Sequence, residues 1–176
     1  MHLIAEDRGI EIDLSALSKA MVHGDRARLK QIVVNLLDNA IRFTKRGGIV
    51  WLRTAVDAKS TVLEVSDTGI GIPPESIPRV FERFFRVDEA RSREDGGAGL
   101  GLSIVKSICA VHGAEIEVES RLEAGSSFRV RFPRRSSADS VVDALARNGS
   151  ACPEKPTNAS IPIEVSPQLS GLTPEG

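Results

Sequence analysis

The stretch from residue 28 to residue 44 reads RLKQIVVNLLDNAIRFT, and its spacing predicts an amphipathic helix. At 100° per residue, seven apolar positions fall on one face: Leu29, Ile32, Val33, Leu36, Leu37, Ala40 and Phe43. A face of this width packs a helix against a sheet. We expect the helix to run from about Arg26 to Phe43, with Asp25 as its N-cap.

A second stripe on the same helix is polar. Asn35, Asp38, Asn39 and Arg42 follow the i, i+3, i+4, i+7 spacing and flank the apolar face. A solvated surface also produces such stripes, so on this helix alone that interpretation stays open. Two asparagines four residues apart favour a function, because an amide oxygen is a hard ligand for Mg²⁺ and the arginine can meet a phosphate.

A second decisive stretch, residues 62–72, reads VLEVSDTGIGI. Strand alternation places Asp67 on the same side as Leu63 and Val65, so its carboxylate ends a strand while facing inward. A buried carboxylate needs hydrogen-bond donors, and the exocyclic amine of adenine is one. Gly69 and Gly71 allow a tight turn and close backbone approach by a ligand. The alternative is an aspartate that caps its own turn.

Glycines also lead into a second predicted helix, from about Leu100 to His112, which ends at Gly113. Residues 96–105 read GGAGLGLSIV, and free amides at such a helix start suit a triphosphate. No Gly-Lys-Ser/Thr follows and no strand precedes, which excludes P-loop and dinucleotide-binding motifs. The stretch Arg79–Arg86 gathers three of the six phenylalanines, and it either anchors a loop or supplies Arg86 to a phosphate.

Strand patterns complete the reading of the chain up to Pro133. They cover residues 10–14, 49–56, 61–67, 114–120 and 127–132, and together with the helices they predict a mixed sheet covered on one face. Residues 134–176 are rich in Ser, Pro, Ala and Gly, so we expect a largely disordered tail with one short helix at about 140–148. The predicted domain is therefore residues 1–133.

Composition excludes several classes of function. The 24 acidic and 23 basic residues give a net charge of −1, which argues against a nucleic-acid binder, and Arg129 and Arg131 alternate with apolar residues as on a solvent-facing strand. No apolar run approaches the length of a membrane span, and charged residues near the start argue against a secretory signal. Two cysteines make no disulfide framework. We expect a cytoplasmic protein without a membrane segment.

Taken together and in this order, the stretches resemble the catalytic and ATP-binding domain of sensor histidine kinases, in the GHKL superfamily shared with DNA gyrase B. The similarity lies in the N box (Arg28–Thr44), G1 box (Asp67–Gly71), F box (Phe81–Arg86), G2 box (Gly97–Leu102) and a G3-like turn (Gly125–Phe128). The resemblance implies a Bergerat-type α/β sandwich of two layers. Its mixed sheet of about five strands is covered on one face by three helices, and residues 87–97 form a lid over ATP.

The resemblance also implies roles for individual residues. Asp67 accepts from the adenine amine, Asn39 holds Mg²⁺ with Asn35 close by, and Arg42 and Arg86 contact phosphates. Asn35, Arg42 and Arg86 form the implied catalytic set. The remaining implied nucleotide-binding positions are Gly69, Gly71, Gly97, Gly99, Leu100, Gly101 and Ser127.

Asn35 bears on the type of reaction. The ATPase branches of the superfamily have a Glu at the matching position, and an amide cannot act as that base, so we expect slow hydrolysis. In the family, the γ-phosphoryl group passes to a histidine on a separate dimerisation domain and onward to a response regulator. His2, His23 and His112 lack the neighbours of such a phosphoacceptor. A noncatalytic ATP-sensing or interaction module remains an alternative, and a gyrase-like ATPase is less favoured.

Overall fold

A computed structural model of the chain describes residues 2–87, 98–134 and 160–163. Three α-helices and seven strands make up its regular structure, together with a 3₁₀ turn at Ile77–Arg79. The helices are α1 (His2–Asp7), α2 (Arg26–Phe43) and α3 (Gly101–Val111). The strands are β1 (Glu11–Asp13), β2 (Ala20–His23), β3 (Ile49–Val56), β4 (Ser60–Asp67), β5 (Glu115–Arg121), β6 (Gly125–Pro133) and β7 (Ser160–Ile163).

Five of the strands form one mixed sheet in the order β1-β3-β4-β6-β5. Strands β1 and β3 are parallel, whereas the β3–β4, β4–β6 and β5–β6 pairs are antiparallel. The predicted mixed five-stranded sheet is therefore confirmed. Strand β4 lies at its centre, so Asp67, its last residue, stands in the middle of one sheet edge, with Val50 of β3 opposite.

The hydrophobic core lies between the sheet and the helices. Alternate residues of the three central strands are buried toward it, as the period of two predicts: Val50, Leu52, Leu63, Val65, Phe128, Val130 and Phe132. Helix α2 contributes Leu29, Ile32, Leu36, Leu37, Ala40 and Ile41. All three α-helices supply residues to this core, with Ala5 of α1 buried and Val105 of α3 fully enclosed.

The other face of the sheet carries charged residues that pair across strands. The Glu64 carboxylate lies 3.7 Å from the Arg53 guanidinium and 3.1 Å from that of Arg129. Arg129 also contacts Glu119 of β5 at 2.8 Å. The hydrogen bonds that Arg129 donates to Glu64 and then to Glu119 raise the pKa of Arg129. This arginine therefore belongs to an ion-pair ladder on the solvent-facing strand surface, as its alternation with apolar residues predicts.

The ends of the two long helices fall close to the predicted positions. Asp25 caps α2 by accepting from the Arg28 amide at 2.9 Å, and Gly113 follows α3 with φ of +62°. His112 joins these two ends, because its Nε2 accepts from the Asp25 amide at 3.1 Å. Its Nδ1 therefore carries the proton and donates to the Ile108 carbonyl at 2.8 Å. The ring is a structural link between α2 and α3.

Some short elements were not predicted. Neither α1, β2 nor β7 was predicted from the sequence. Strand β7 lies in the segment expected to be a disordered tail, where Ser160–Ile163 pairs antiparallel with β2. Among the described residues between α2 and α3, the only helical element is the 3₁₀ turn at Ile77–Arg79. The predicted helix at 140–148 and most of the predicted lid lie outside the described residues. None of the helices in the described ranges combines the length and the apolar character of a bilayer span.

Leu36→Ala tests the packing of α2 on the sheet. Leu36 is 0% exposed, so its truncation leaves a cavity, and we expect the free energy of unfolding to fall by about 2–5 kcal/mol. Urea unfolding measures this loss. Val111→Ala is the matched control, because Val111 is 76% exposed on α3, and it should shift stability by less than about 0.5 kcal/mol. Equal losses in the two variants would contradict the assignment of this core.

Candidate functional site

Asp67 is a buried carboxylate at the end of the central strand. The residue is 8% exposed, as the strand alternation predicts. Its Oδ1 accepts from the Gly69 amide at 2.8 Å and from the Ser126 amide at 3.3 Å. Both side-chain hydrogen bonds that we find to this carboxylate within the described ranges end on Oδ1. The Oδ2 atom is therefore the oxygen available to an external donor.

Burial sets the electrostatic character of this group. Desolvation raises the pKa of Asp67 above its usual value, and the amides of Gly69 and Ser126 offset part of that effect. A carboxylate in this condition gains from one more hydrogen-bond donor, because the donor stabilises the charged form. The site is thus prepared for a ligand that presents an N–H group to the sheet edge.

The loop after β4 packs closely against neighbouring backbone. A Cβ at Gly69 would lie 2.4 Å from the Phe43 carbonyl oxygen, and one at Gly71 would lie 2.1 Å from that of Arg121. Gly71 also has φ of +70°, a left-handed conformation that favours glycine. The close approach that these glycines allow is therefore made by the protein's own chain, which holds the loop against the end of α2 and the β5–β6 hairpin.

The polar stripe of α2 faces the start of α3. The Asn35 Nδ2 atom donates to the Gly101 carbonyl at 3.4 Å, and Asn39 Nδ2 lies 4.0 Å from the position of a Cβ at Gly101. One turn further on, Arg42 forms an ion pair with Asp38 at 3.2 Å. All four side chains of the stripe are partly buried. The structure therefore brings the two asparagines and the start of α3 together.

The first turn of α3 is the next feature of the candidate site. Leu100 occupies the N-cap position, and no side chain among the described residues caps this helix start. The first amides of a helix have no partner within the helix, and the helix dipole adds positive potential there. Gly99 and Gly101 carry no side chains there, and amides at a helix start are groups that suit an anion.

The phenylalanine-rich stretch anchors the chain before the glycine-rich stretch. Phe81 packs edge-to-face on the buried Phe128, with ring centroids 6.4 Å apart, which supports the interpretation as an anchored cluster. Phe84 is 70% exposed and has φ of +63°, and its amide donates to the Gly99 carbonyl at 3.0 Å. Arg86 is partly buried and lies two residues beyond this junction.

One predicted position, Ser127, is not brought to this cluster by the structure. The Ser127 hydroxyl contacts the Glu64 carboxylate at 3.3 Å, on the charged face of the sheet that points away from Asp67. The residue of this turn that reaches Asp67 is Ser126, which the sequence analysis missed. Strand alternation could have identified Ser126, because it places residue 126 on the same inner face as the buried Phe128. Gly97 lies outside the described residues.

The fold and the cluster together define a class of protein. A two-layer α/β sandwich places an inward carboxylate, an amide-lined helix and an uncapped helix start around one edge of its sheet. An acceptor for a base, oxygen ligands for a hard cation and amides for phosphates are the elements of a nucleotide site.

Comparison with known proteins shows the family. Residues 24–136 match the model of the "Histidine kinase-, DNA gyrase B-, and HSP90-like ATPase" family, and the chain belongs to it. It is 44% identical over 133 residues to the sensor-like histidine kinase SenX3 of Mycobacterium tuberculosis, covering 75% of this chain and 32% of that protein. The sensor protein SrrB of Staphylococcus aureus is 38% identical over 130 residues, which are 74% of this chain and 22% of SrrB.

Solved structures agree with this assignment. The mycobacterial sensor histidine kinase MprB superposes with a TM-score of 0.66 at 35% identity, covering 76% of this chain and 90% of that one. Full-length ShkA in complex with AMPPNP gives a TM-score of 0.63 at 34% identity, covering 77% of this chain and 28% of ShkA. The predicted family and the predicted fold are confirmed. The chain spans less than a third of the length of SenX3 or SrrB.

Asp67→Asn tests the cost of burying this carboxylate. Because the pKa of Asp67 is raised in the folded state, its contribution to stability is complete below its unfolded pKa of about 3.8 and is lost as pH rises through the folded pKa. Asparagine does not ionise, so the variant does not lose stability in this way as pH rises. We therefore expect its free energy of unfolding, relative to the unmodified protein, to increase as pH rises above about pH 4 in urea titrations.

Asp57→Asn is the matched control, because its pKa shift has the opposite sign. Hydrogen bonds from the Ser60 hydroxyl and the Lys59 amide lower the pKa of Asp57, so its contribution is lost as pH falls through the folded pKa. The Asp57→Asn variant should be less stable than the unmodified protein at neutral pH. This difference in the free energy of unfolding should disappear only in acid. A stability difference for Asp67→Asn that is flat across pH would contradict the burial argument.

Proposed function

We propose that this chain is the ATP-binding catalytic domain of a two-component sensor histidine kinase. It binds ATP with Mg²⁺ and presents the γ-phosphoryl group to a histidine on a dimerisation domain, from which a response regulator receives it. The observation that carries the proposal is Asp67, whose buried carboxylate keeps Oδ2 available beside an amide-lined helix. The assignment of residues 1–133 to this domain and of 134–176 to a tail stays a prediction.

Adenine recognition follows from the chemistry of the Asp67 carboxylate. The exocyclic amine of adenine donates N–H groups, whereas the corresponding guanine oxygen only accepts. An ionised Asp67 therefore favours adenine, and the hydrogen bond offsets part of the desolvation that raises its pKa. The closely packed loop fixes the direction of this acceptor relative to the sheet edge.

The donor set fits magnesium. Mg²⁺ in nucleotide sites keeps several waters and takes only one or two protein oxygens besides the phosphates. Asn39 supplies an amide oxygen, and Asn35 supplies a second one because its Nδ2 end is engaged with the Gly101 carbonyl. Bound Mg²⁺ would neutralise phosphate charge at this position.

The phosphates lie at the start of α3 in this proposal. The uncapped amides of its first turn and the positive end of the helix attract the triphosphate. Arg42 and Arg86 supply positive charge, and Asp38 holds the Arg42 guanidinium at 3.2 Å. Gly97, Gly99, Leu100 and Gly101 line the phosphate path, while Gly69 and Gly71 shape the adenine end.

Asn35 favours transfer over hydrolysis. Its amide cannot take a proton from water, so the site lacks the base that a hydrolase needs at this position. Catalysis then depends on positioning the phosphates and stabilising their charge. An imidazole nitrogen of the acceptor histidine attacks the γ-phosphorus, the bond to the bridging oxygen breaks, and ADP leaves with that oxygen. We place the domain in the cytoplasm, because ATP is available in that compartment.

Asp67→Asn should reduce ATP affinity at least about 10-fold at neutral pH, because a charged acceptor is replaced by an amide whose N–H end repels the adenine amine. Isothermal titration with ATP and Mg²⁺ measures the change. Asp57→Asn removes a carboxylate from the β3–β4 turn and should leave affinity within about 2-fold of the unmodified protein. Unchanged ATP binding by Asp67→Asn would contradict the proposal that Asp67 recognises adenine.

Asn39→Ala should remove most of the gain in nucleotide affinity that Mg²⁺ provides, while leaving metal-free binding little changed. The comparison is a titration of a nonhydrolysable ATP analogue with Mg²⁺ and with EDTA. Gln31→Ala is the control, since it removes an exposed carboxamide from the same helix. If both variants keep the full Mg²⁺ effect, Asn39 is not a ligand.

Phosphoryl transfer is tested by supplying a separate helical, histidine-bearing dimerisation domain together with radiolabelled ATP. Label on the acceptor histidine with little release of free phosphate supports the kinase assignment. Binding of ATP without transfer to any such domain favours the alternative of a noncatalytic nucleotide-sensing module. Rapid release of phosphate by the isolated chain would instead indicate a gyrase-like ATPase.

A further inference from the structure

A serine hydroxyl joins the loop after β4 to the β5–β6 hairpin. The Ser120 Oγ atom accepts from the Ile72 amide at 2.8 Å and donates to the Gly125 carbonyl at 2.9 Å. It also lies 3.0 Å from the Ser126 hydroxyl. Ser120 is partly buried at the end of β5, so water competes only partly for these bonds. A single side chain thus connects the two segments that border Asp67.

The peptide unit between Gly125 and Ser126 is held from both sides. Its carbonyl accepts from Ser120, and its N–H donates to Asp67 Oδ1 at 3.3 Å. Because a peptide unit is planar, fixing the direction of the carbonyl also fixes the direction of the N–H. Hydrogen bonds in series polarise one another, so the bond from Ser120 strengthens the donor that meets the carboxylate.

The rest of the hairpin also restricts this peptide, because β5 and β6 pair Arg121 with Gly125 and Ser120 with Ser126. A Cβ at Gly125 would lie 1.9 Å from the Asp67 carbonyl oxygen, and the Glu123 amide donates to the Ile70 carbonyl at 2.8 Å. These contacts keep the hairpin against the loop even when the Ser120 hydroxyl is removed. The Ser120 hydroxyl is therefore one of several contacts that orient this peptide unit, and its removal leaves the others in place.

We propose that Ser120 is a positioning residue for adenine recognition. It orients the peptide unit between Gly125 and Ser126 so that Oδ1 of Asp67 is held by an amide and Oδ2 is aimed at the exocyclic amine. Ser120 touches no nucleotide and acts through Asp67. This inference rests on the proposed function, because it requires that Asp67 accept from adenine.

The test compares ATP with purine riboside triphosphate, which lacks the exocyclic amine, by isothermal titration. Ser120→Ala should weaken ATP binding about 3- to 10-fold, the effect of one hydrogen bond, and change binding of the analogue less than about 2-fold. Ser120→Thr keeps a hydroxyl and should restore the preference for ATP. Ser66→Ala is the control, because the Ser66 hydroxyl is buried without a partner in the described part of the chain.

A double variant separates positioning from general destabilisation. In the Asp67→Asn background the amine is no longer recognised, so adding Ser120→Ala should cause little further loss of ATP affinity. Thermal unfolding checks that each variant folds. If Ser120→Ala fails to fold, Ser120→Cys, which is similar in size and a weaker hydrogen-bond partner, carries the same comparison.

The outcomes distinguish this inference from the proposed function. If the unmodified protein binds ATP no better than the analogue, recognition of the amine by Asp67 fails, and the inference fails with it. If the unmodified protein prefers ATP and Ser120→Ala keeps the full preference, only the role of Ser120 is overturned. Equal weakening of both nucleotides would also overturn it, because a structural defect acts on both.

Discussion

Placing a carboxylate inside the end of a sheet is the constraint on which the site depends. Desolvation penalises the charged form of Asp67, and two backbone amides offset part of this penalty by donating hydrogen bonds to one carboxylate oxygen. Supplying those amides requires the loop after β4 and the turn before β6 to approach closely, which only glycines at positions 71 and 125 permit. The glycine pattern of this region is therefore a consequence of the buried charge.

The two faces of the sheet differ in composition and in what they contact. The inner face carries apolar side chains that hold α2 and α3, and thereby brings the polar stripe of α2 against the start of α3. The outer face carries paired charges, with Glu64 between two arginines. Exposed ion pairs contribute little to stability, so we attribute the fold mainly to the inner face.

Patterns of period two and 3.6 made much of this structure predictable. Helix α2 and strand β3 have the predicted bounds, and the inward position of Asp67 follows from alternation alone. Strand alternation also places Ser126 on the same face as the buried Phe128, two residues later. The residue predicted from the sequence was nevertheless Ser127. Because the family motif is read as a string of letters, it does not state which of two adjacent serines faces the site.

Other features depend on contacts between distant segments and leave no local pattern. Strand β2 has only four residues, and its partner β7 lies more than a hundred residues later in the chain, in a region of tail-like composition. The link from Ser120 to the peptide unit between Gly125 and Ser126 likewise requires the hairpin to be closed. Such pairings are decided by tertiary structure, which short-range periodicity does not encode.

The imidazole that joins the beginning of α2 to the end of α3 has an effect at a distance. Helices α2 and α3 run in opposite directions, so His112 and Asp25 secure one end of the pair while Asn35 and Gly101 meet at the other, roughly 16 Å away for an eleven-residue helix. Sliding one helix along the other would break both attachments at once. The relative axial position of α2 and α3 is thus fixed at two places, one of which is a histidine ring at the opposite end of α3 from Gly101.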